Sequence, residues 1–187
     1  MSEQTTQDKL YSIPVTILDK YTCLSLGATS INDLIKTGKL KYVKVSKNLR
    51  KRPDVLIINK NKEVVVFLEF KTPEELNTQA KIDKAIKQEI AVAREIGAKI
   101  YVVTDGDKYI WLNPISGNLI ADDNGTPVTR KIDPKTEPKK LAEFIDLVSL
   151  SVSSENDTIL KLEDIDPTDL AKKIARILKR MTFASSK

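Results

Sequence analysis

The stretch RKRPDVLIINKNKEVVVFLEFK, residues 50–71, decides the fold. Its two apolar runs, DVLIIN and EVVVFLEFK, carry β-branched or aromatic residues at successive positions, a pattern typical of strands covered on both faces. The four residues Asn59 to Lys62 between the runs predict a tight turn. The stretch therefore predicts a buried hairpin, and that hairpin ends abruptly in two charged residues, Glu69 and Lys71.

The register of this hairpin brings two carboxylates together. With Asn61-Lys62 as a two-residue turn, Lys60 faces Glu63 at the tip. The same register places Asp54 opposite Glu69 at the other end. Directly opposed residues point to one face of a sheet, with Cβ atoms ~4.5–5.5 Å apart. The sequence therefore predicts a pair of acidic side chains at the end of an apolar hairpin.

Two like charges at this distance are unfavourable unless a cation lies between them. Mg²⁺ bound by one or two carboxylates together with substrate phosphate and water is the usual solution in proteins. Lys71 lies two residues beyond Glu69 and therefore on the same face, where it could position or deprotonate a water molecule. This combination is sufficient for phosphodiester hydrolysis. A structural ion pair among Asp54, Glu69 and Lys71 would produce the same sequence and is the alternative.

The pattern of an acid, any residue and a lysine has little value by itself. It also occurs at Asp133-Pro134-Lys135 and at Glu137-Pro138-Lys139. Both of these copies lie in a proline-containing loop, which predicts solvated side chains. Glu69-Phe70-Lys71 differs because it ends a buried strand and has an aspartate opposite, so its position rather than its pattern carries the hypothesis.

Composition narrows the possible chemistry. The chain has 187 residues, of which 41% are hydrophobic and 30% charged, as expected of one globular domain with an extension. It contains no histidine, which excludes Ser-His and Cys-His catalytic pairs and His-ligated zinc. The single Cys23 cannot form an internal disulfide, and we expect a cytoplasmic location. No apolar run is long enough to span a membrane.

Element order around the hairpin predicts the fold class. ATSINDLIKTG (28–38) predicts a helix with Thr29 or Ser30 as N-cap and Gly38 at its end. KLKYVKVS (39–46) alternates and predicts a strand. After the hairpin, LNTQAKIDKAIKQEIAVAREI (76–96) predicts a long amphipathic helix, and 98–106 and 107–118 predict two more strands. The order predicts an α/β fold with a mixed sheet and flanking helices.

The last third of the chain predicts helices rather than strands. Residues 121–139 have the composition of a loop, 139–150 predict a helix, 151–158 a linker and 167–183 a second amphipathic helix. The chain stops soon after that helix, and we expect the natural protein to continue into a downstream domain.

Together these features resemble the PD-(D/E)xK nuclease superfamily. The resemblance rests on Pro53-Asp54, on Glu69-Phe70-Lys71, on the helix that follows, and on AKIYVVTDGDKYIWL (98–112). More narrowly, the chain resembles the N-terminal nuclease domain of type I restriction enzyme R subunits and of proteins that fuse such a nuclease to an adenine-N6 methyltransferase. The resemblance implies a restriction-endonuclease-like core over residues 28–120. An N-terminal segment (1–27) precedes this core, and a loop and helical extension (121–187) follows it.

The resemblance also assigns roles. Asp54 and Glu69 would hold Mg²⁺, for which Mn²⁺ is expected to substitute, with the Phe70 carbonyl as a backbone ligand. Lys71 would activate or orient water. Gln88 matches the glutamine that completes the site in the family, where it would orient Lys71 or water.

Three positions leave alternatives open. Val92 occupies the place where the family usually has a tyrosine, four residues after the glutamine. Gln88 itself, between Ile86 and Ile90 on an amphipathic helix, could be a surface residue. Asp33 is the candidate on the first helix for the family's additional acidic ligand, or else a solvated helix residue.

A basic segment precedes Asp54. It contains eight lysines and arginines and no acid: Lys36, Lys39, Lys41, Lys44, Lys47, Arg50, Lys51 and Arg52. Arg50, Lys51 and Arg52, which adjoin the predicted acidic pair, are candidates for contact with a nucleic-acid backbone. The alternative is a solvated segment that serves solubility.

The acidic pair, together with the resemblance to restriction nucleases, thus predicts a Mg²⁺-dependent DNA endonuclease domain of a restriction–modification system. Its partners would be DNA and downstream methyltransferase, motor or specificity domains, with oligomers left open and no membrane association. Two alternatives stand beside it. One is a non-catalytic nucleic-acid-binding or assembly module with the same fold. The other is a structure-specific repair or junction nuclease.

Overall fold

The computed structural model describes residues 15–17, 19–25, 29–43 and 50–163. Its strands are β1 (Val15–Ile17), β2 (Tyr21–Ser25), β3 (Val55–Asn59), β4 (Val64–Phe70), β5 (Ile100–Thr104) and β6 (Tyr109–Leu112). Its helices are α1 (Ile31–Lys36), α2 (Gln79–Glu95) and α3 (Pro138–Glu163), and a short 3₁₀ helix covers Pro73–Glu75.

The six strands form one mixed sheet in the order β1-β2-β3-β4-β5-β6. Neighbouring strands are antiparallel except β4 and β5, which are parallel and are connected through α2. Parallel neighbours need such a crossover because the chain must return to the same end of the sheet. The predicted α/β fold class, a mixed sheet with flanking helices, is confirmed.

Each face of the sheet has its own hydrophobic core, which explains the continuous apolar runs. The α2 face is packed by α1 and α2, and its buried residues include Leu34, Leu56, Phe67, Val92, Tyr101 and Val103. The α3 face is packed by α3, and its buried residues include Ile57, Leu68, Phe70, Val102, Trp111, Leu141 and Ile145. Glu69, between Leu68 and Phe70, therefore belongs to the α2 face.

The tip of the β3–β4 hairpin differs from the predicted two-residue turn at Asn61-Lys62. The Asn59 backbone N–H donates to the Glu63 carbonyl at 3.0 Å, so that residues 60–62 form a three-residue loop. Lys60 therefore does not face Glu63, and this part of the predicted register is wrong. Lys62 has a φ of 61°, the left-handed conformation typical of the third position in such loops.

A β-bulge restores the predicted register beyond the tip. The pairing shifts between Ile57 and Ile58, because β4 has one extra residue, Val65, without a direct partner on β3. From there outward Val55 pairs with Leu68, as the two-residue turn also predicted. The loop and the bulge thus offset each other, and the end of the hairpin that carries the charges is in the predicted register.

The helix α1 confirms its predicted start and end. The Ser30 side chain accepts a hydrogen bond from the Asp33 backbone N–H at 3.2 Å, which makes Ser30 the N-cap. Gly38 follows the helix with a φ of 67°.

The predicted strand at 39–46 is wrong over residues 39–43, and the remainder lies outside the described residues. The Lys39 and Leu40 backbone N–H groups both donate to the Leu34 carbonyl, which folds the chain back against α1. Leu40 is buried. It belongs to the core of the α2 face, whereas Tyr42 is exposed.

Two strands and a helical continuation are absent from the predictions. β1 and β2 lie within residues 15–25, in the predicted N-terminal segment, and β2 pairs with β3. The predicted linker at 151–158 is wrong, because α3 contains the predicted helix 139–150 and continues to Glu163. The helix predicted at 167–183 lies outside the described residues.

The chain divides into two compact units, Met1–Val152 and Ser153–Lys187. Among the described helices, none has the length and apolarity needed to cross a membrane.

The left-handed conformation of Lys62 leads to a stability prediction. Left-handed backbone costs a residue with a side chain roughly 1 kcal/mol, and glycine avoids that cost. We expect Lys62→Gly to raise the free energy of unfolding by up to about 1 kcal/mol in urea denaturation. Lys60→Gly, in the same exposed loop but without a positive φ, is the control and should lower it. Equal effects of the two variants would contradict the loop assignment.

Candidate active site

Asp54 is fixed by a hydrogen bond across the end of the hairpin. It directly precedes β3, after the buried Pro53. One oxygen of its carboxylate, Oδ2, accepts a hydrogen bond from the Phe70 backbone N–H at 2.8 Å. Asp54 is half-buried, so this bond both satisfies the carboxylate and ties the start of β3 to the end of β4.

Glu69 and Lys71 form an ion pair beside it. The Lys71 Nζ lies 2.9 Å from the Glu69 Oε1, and the two side chains are only 11% and 14% exposed. The Lys71 backbone N–H donates to the Thr104 carbonyl at 2.8 Å, which attaches the end of β4 to β5. Asp54, Glu69 and Lys71 are thus gathered in a largely buried cluster, which we call the acidic centre.

Two buried carboxylates share this centre with one lysine, and their pKa values are raised. Burial, and then the charge of Asp54, raise the pKa of Glu69 to about 7, although Lys71 acts in the opposite direction. Burial also raises the pKa of Asp54, against the lowering effects of the Phe70 N–H and of Lys71. One cation is therefore insufficient for two ionised acids here, and a second positive charge would stabilise the centre.

Asp54 and Glu69 are the side chains of the acidic centre that could hold a metal ion as this second charge. Among the described residues, no cluster of three or more His, Cys, Asp or Glu side chains is arranged to hold a metal. Asp54 and Glu69 can therefore supply only two side-chain ligands. Mg²⁺ fits such a donor set, because it commonly binds one or two carboxylates and fills its other positions with water and phosphate.

Glu89 is a residue near the centre that sequence reasoning missed. It lies on α2, its side chain is 15% exposed, and it forms an ion pair with Lys51 at 2.7 Å. Its charge contributes to the raised pKa values of both Asp54 and Glu69. The one available signal was its place directly after Gln88 on the same helix, and helix rotation decides which neighbour faces the sheet.

The structure gives Gln88 and Asp33 peripheral positions. Gln88 is exposed and lines a surface cavity together with Lys81 and Lys84. Its role in the site remains a prediction. Val92, at the position of the family's tyrosine, is a buried residue of α2. Asp33 is exposed, and its carboxylate accepts a hydrogen bond from the Ser30 hydroxyl at 2.6 Å, as in a helix cap.

The basic residues before Asp54 are on the surface. Arg50, Lys51 and Arg52 are all exposed. The Lys51 carbonyl accepts a hydrogen bond from the Ile31 backbone N–H at 3.0 Å, which holds this segment at the start of α1. Because the chain enters the acidic centre one residue after Pro53, these three cations are close to it along the chain.

The two other copies of the acid-x-Lys pattern have local roles. The Asp133 carboxylate accepts hydrogen bonds from the Lys135 and Thr136 backbone N–H groups within its own turn. Glu137 is exposed and pairs with Lys140 at 2.8 Å, one helical turn away. Neither copy has the burial or the opposed carboxylate that Glu69 has.

Comparison with known proteins gives one remote structural likeness. No family model matches the sequence, and no curated protein matches it. The chain is similar to a solved structure described as the type IIG restriction endonuclease BpuSI, with 16% identity and a TM-score of 0.34. The likeness covers 65% of this chain and 15% of that one. At this level it carries no argument about function.

The raised pKa values predict a pH-dependent stability. A carboxyl group whose pKa is higher in the folded than in the unfolded state lowers the free energy of unfolding as the pH rises from the unfolded-state pKa through the folded-state pKa. Between pH 5 and pH 8 in EDTA, the free energy of unfolding should fall less in Asp54→Asn than in wild type, by a difference on the order of 1 kcal/mol. The variant lacks one charge and the repulsion of that charge on Glu69. The asparagine oxygen can still accept from Phe70.

Glu137→Gln is the control for this measurement. The hydrogen bond from Lys140 lowers the pKa of Glu137, so this carboxylate is ionised at both pH values and its loss should have no pH-dependent effect. Urea denaturation at the two pH values measures both variants. Identical pH dependence in wild type and Asp54→Asn would contradict the mutual repulsion of the buried pair.

Proposed function

We propose that this chain is a metal-dependent DNA endonuclease domain of a restriction–modification system that hydrolyses phosphodiester bonds. The observation that carries the proposal is the acidic centre itself. Asp54, fixed by the Phe70 N–H, and Glu69, paired with Lys71, meet at one end of a buried hairpin. This is the arrangement that the resemblance to PD-(D/E)xK nucleases implies.

The basic residues beside the acidic centre favour DNA as its substrate. Arg50 and Arg52 are exposed cations immediately before Asp54, and phosphate backbone is attracted to such residues without regard to sequence. Lys51 is exposed as well, but it is paired with Glu89. Backbone contacts of this kind position a nuclease without reading the DNA sequence, and we propose methyltransferase, motor or specificity domains as the partners that would read it.

The proposed cation is Mg²⁺, held by Asp54, Glu69 and the Phe70 carbonyl, with Mn²⁺ as a substitute. When bound, it would supply Lewis-acid stabilisation of the phosphoryl oxygens and lower the pKa of a coordinated water. The two carboxylates would be ionised in that state, because a neighbouring cation favours their charged forms.

The chain's own residues would organise the attack. The hydrogen bond from Phe70 keeps Asp54 in place, so the centre needs little reorganisation. The Lys71 ammonium, held against Glu69, would orient the attacking water and offset the negative charge that develops on the phosphate. As the resemblance implies, water attacks in line with the leaving 3′ oxygen and leaves a 5′ phosphate.

The first test is cleavage of plasmid DNA with Mg²⁺ or Mn²⁺, with EDTA as the metal-free reaction. Lys71→Ala should reduce the cleavage rate by at least ~100-fold, since it removes a charge that acts in the transition state. Lys139→Ala is the matched control, because Lys139 ends another copy of the same tripeptide pattern, and it should cleave like wild type. Activity that survives both Lys71→Ala and Asp54→Ala would contradict the mechanism.

The same assay separates the alternative functions. Wild-type chain that binds duplex DNA but cleaves no substrate with either cation would support the non-catalytic binding module. Cleavage restricted to branched DNA would support the structure-specific nuclease.

A second test concerns the basic segment. The double variant Arg50→Ala/Arg52→Ala should weaken duplex binding and reduce the slope of log K against log salt concentration by about 1–2, because each lost phosphate contact removes nearly one unit. Fluorescence anisotropy at several salt concentrations measures the slope. Lys60→Ala, at the opposite end of the hairpin, is the control and should leave the slope unchanged. An unchanged slope in the double variant would show that these arginines do not contact DNA.

A further inference from the structure

Tyr101 has a buried hydroxyl that the proposed function does not use. The residue lies on β5 and is fully buried. Its hydroxyl oxygen has no hydrogen-bond partner among the described residues. Leaving a buried hydroxyl without a partner costs about 1–3 kcal/mol, and phenylalanine would fill the same space without that cost. A polar group kept at such a position calls for an explanation.

The sheet places Tyr101 beside the acidic centre. Tyr101 pairs with Phe67 in the parallel β4–β5 ladder, and Glu69 is two residues further along β4. Residues two apart in a strand share a face, so Tyr101 and Glu69 both belong to the α2 face. Burial first, and then the charges of Glu69, Glu89 and Asp54, raise the pKa of the Tyr101 hydroxyl. The hydroxyl therefore lies within the field of all three carboxylates.

A neutral hydroxyl is well suited to this place. At physiological pH it stays protonated and can donate a hydrogen bond, whereas the ionised carboxylates around it can only accept. It adds no charge to a centre that has two acids and one lysine. A hydrogen bond from this hydroxyl to the Glu69 carboxylate, direct or through one water molecule, would restrict the orientation of that carboxylate. It would also give the hydroxyl a hydrogen-bond partner.

We propose that Tyr101 is a positioning residue of the acidic centre, whose hydroxyl orients the Glu69 carboxylate when a divalent cation binds. This inference rests on the proposed function, since it gives Glu69 a partner in metal binding. It also places a tyrosine hydroxyl at the centre from β5, while the helix position of the family's tyrosine holds the buried Val92. The residue acts through Glu69 and not on the phosphate.

Tyr101→Phe tests the proposal, with Mn²⁺ affinity by calorimetry and plasmid cleavage as readouts. Residues that orient a metal ligand typically contribute 10–100-fold to metal affinity or activity, and we expect a loss of about that size. The loss should fall on kcat and on Mn²⁺ affinity, with KM for DNA unchanged. The melting temperature should stay the same or rise, because an unpaired buried hydroxyl is removed, and this excludes misfolding as the cause.

Tyr109→Phe is the matched control. Tyr109 is equally buried but belongs to the α3 face, so its loss should leave Mn²⁺ affinity and kcat unchanged. Wild-type affinity and kcat in Tyr101→Phe would overturn this inference and leave the proposed function intact. A wild-type chain that neither binds Mn²⁺ nor cleaves DNA would overturn both.

Discussion

The hydrogen bond from the Phe70 backbone N–H to the Asp54 carboxylate is the constraint on which the candidate site depends. It joins the residue before β3 to the last residue of β4, at 2.8 Å. The β3–β4 pairing brings Asp54 and Glu69 to the same end of the hairpin, and this hydrogen bond holds the Asp54 carboxylate in place there. With it, two acidic side chains and Lys71 are held at the end of a sheet that is packed on both faces.

This arrangement costs stability. Burial and then the charge of Asp54 raise the pKa of Glu69 against the effect of Lys71, and the Tyr101 hydroxyl is buried with no hydrogen-bond partner among the described residues. Groups that destabilise the folded state are common where a protein binds charged ligands, because the bound ligand then offsets the lost stability. A merely structural ion pair would need one acid and one base, and the second carboxylate distinguishes this cluster from the surface pair of Glu137 and Lys140.

Parts of the fold could be predicted from sequence because they depend on local rules. The apolar runs of β3 and β4 identified the hairpin, and Ser30 and Gly38 marked the ends of α1 through their capping chemistry. The opposition of Asp54 and Glu69 was predicted from a turn that is itself wrong. The three-residue loop and the bulge at Val65 shift the register in opposite senses, and neither leaves a clear mark in the sequence.

Other features depend on tertiary packing and could not be predicted. β1 and β2 are short, and they are strands because β2 pairs with the edge of β3 and β1 pairs with β2. Residues 39–43 alternate in sequence, but the backbone N–H groups of Lys39 and Leu40 bind the Leu34 carbonyl at the end of α1. The approach of Glu89 and Tyr101 to the centre depends on the rotation of α2 and on the parallel pairing of β5. Gln88 was chosen by its match to a family pattern, and the structure places its neighbour Glu89 nearer the acids.

The most direct test of this account is a crystal structure of the chain soaked in Mn²⁺, with the metal located by anomalous scattering. The account predicts one Mn²⁺ between Asp54 and Glu69, with carboxylate oxygens at roughly 2.0–2.3 Å, as expected of a hard divalent cation on oxygen ligands. It also predicts that Lys71 stays beside Glu69. A crystal that holds no metal at these two carboxylates at millimolar Mn²⁺, at a pH above the raised pKa of Glu69, would contradict it.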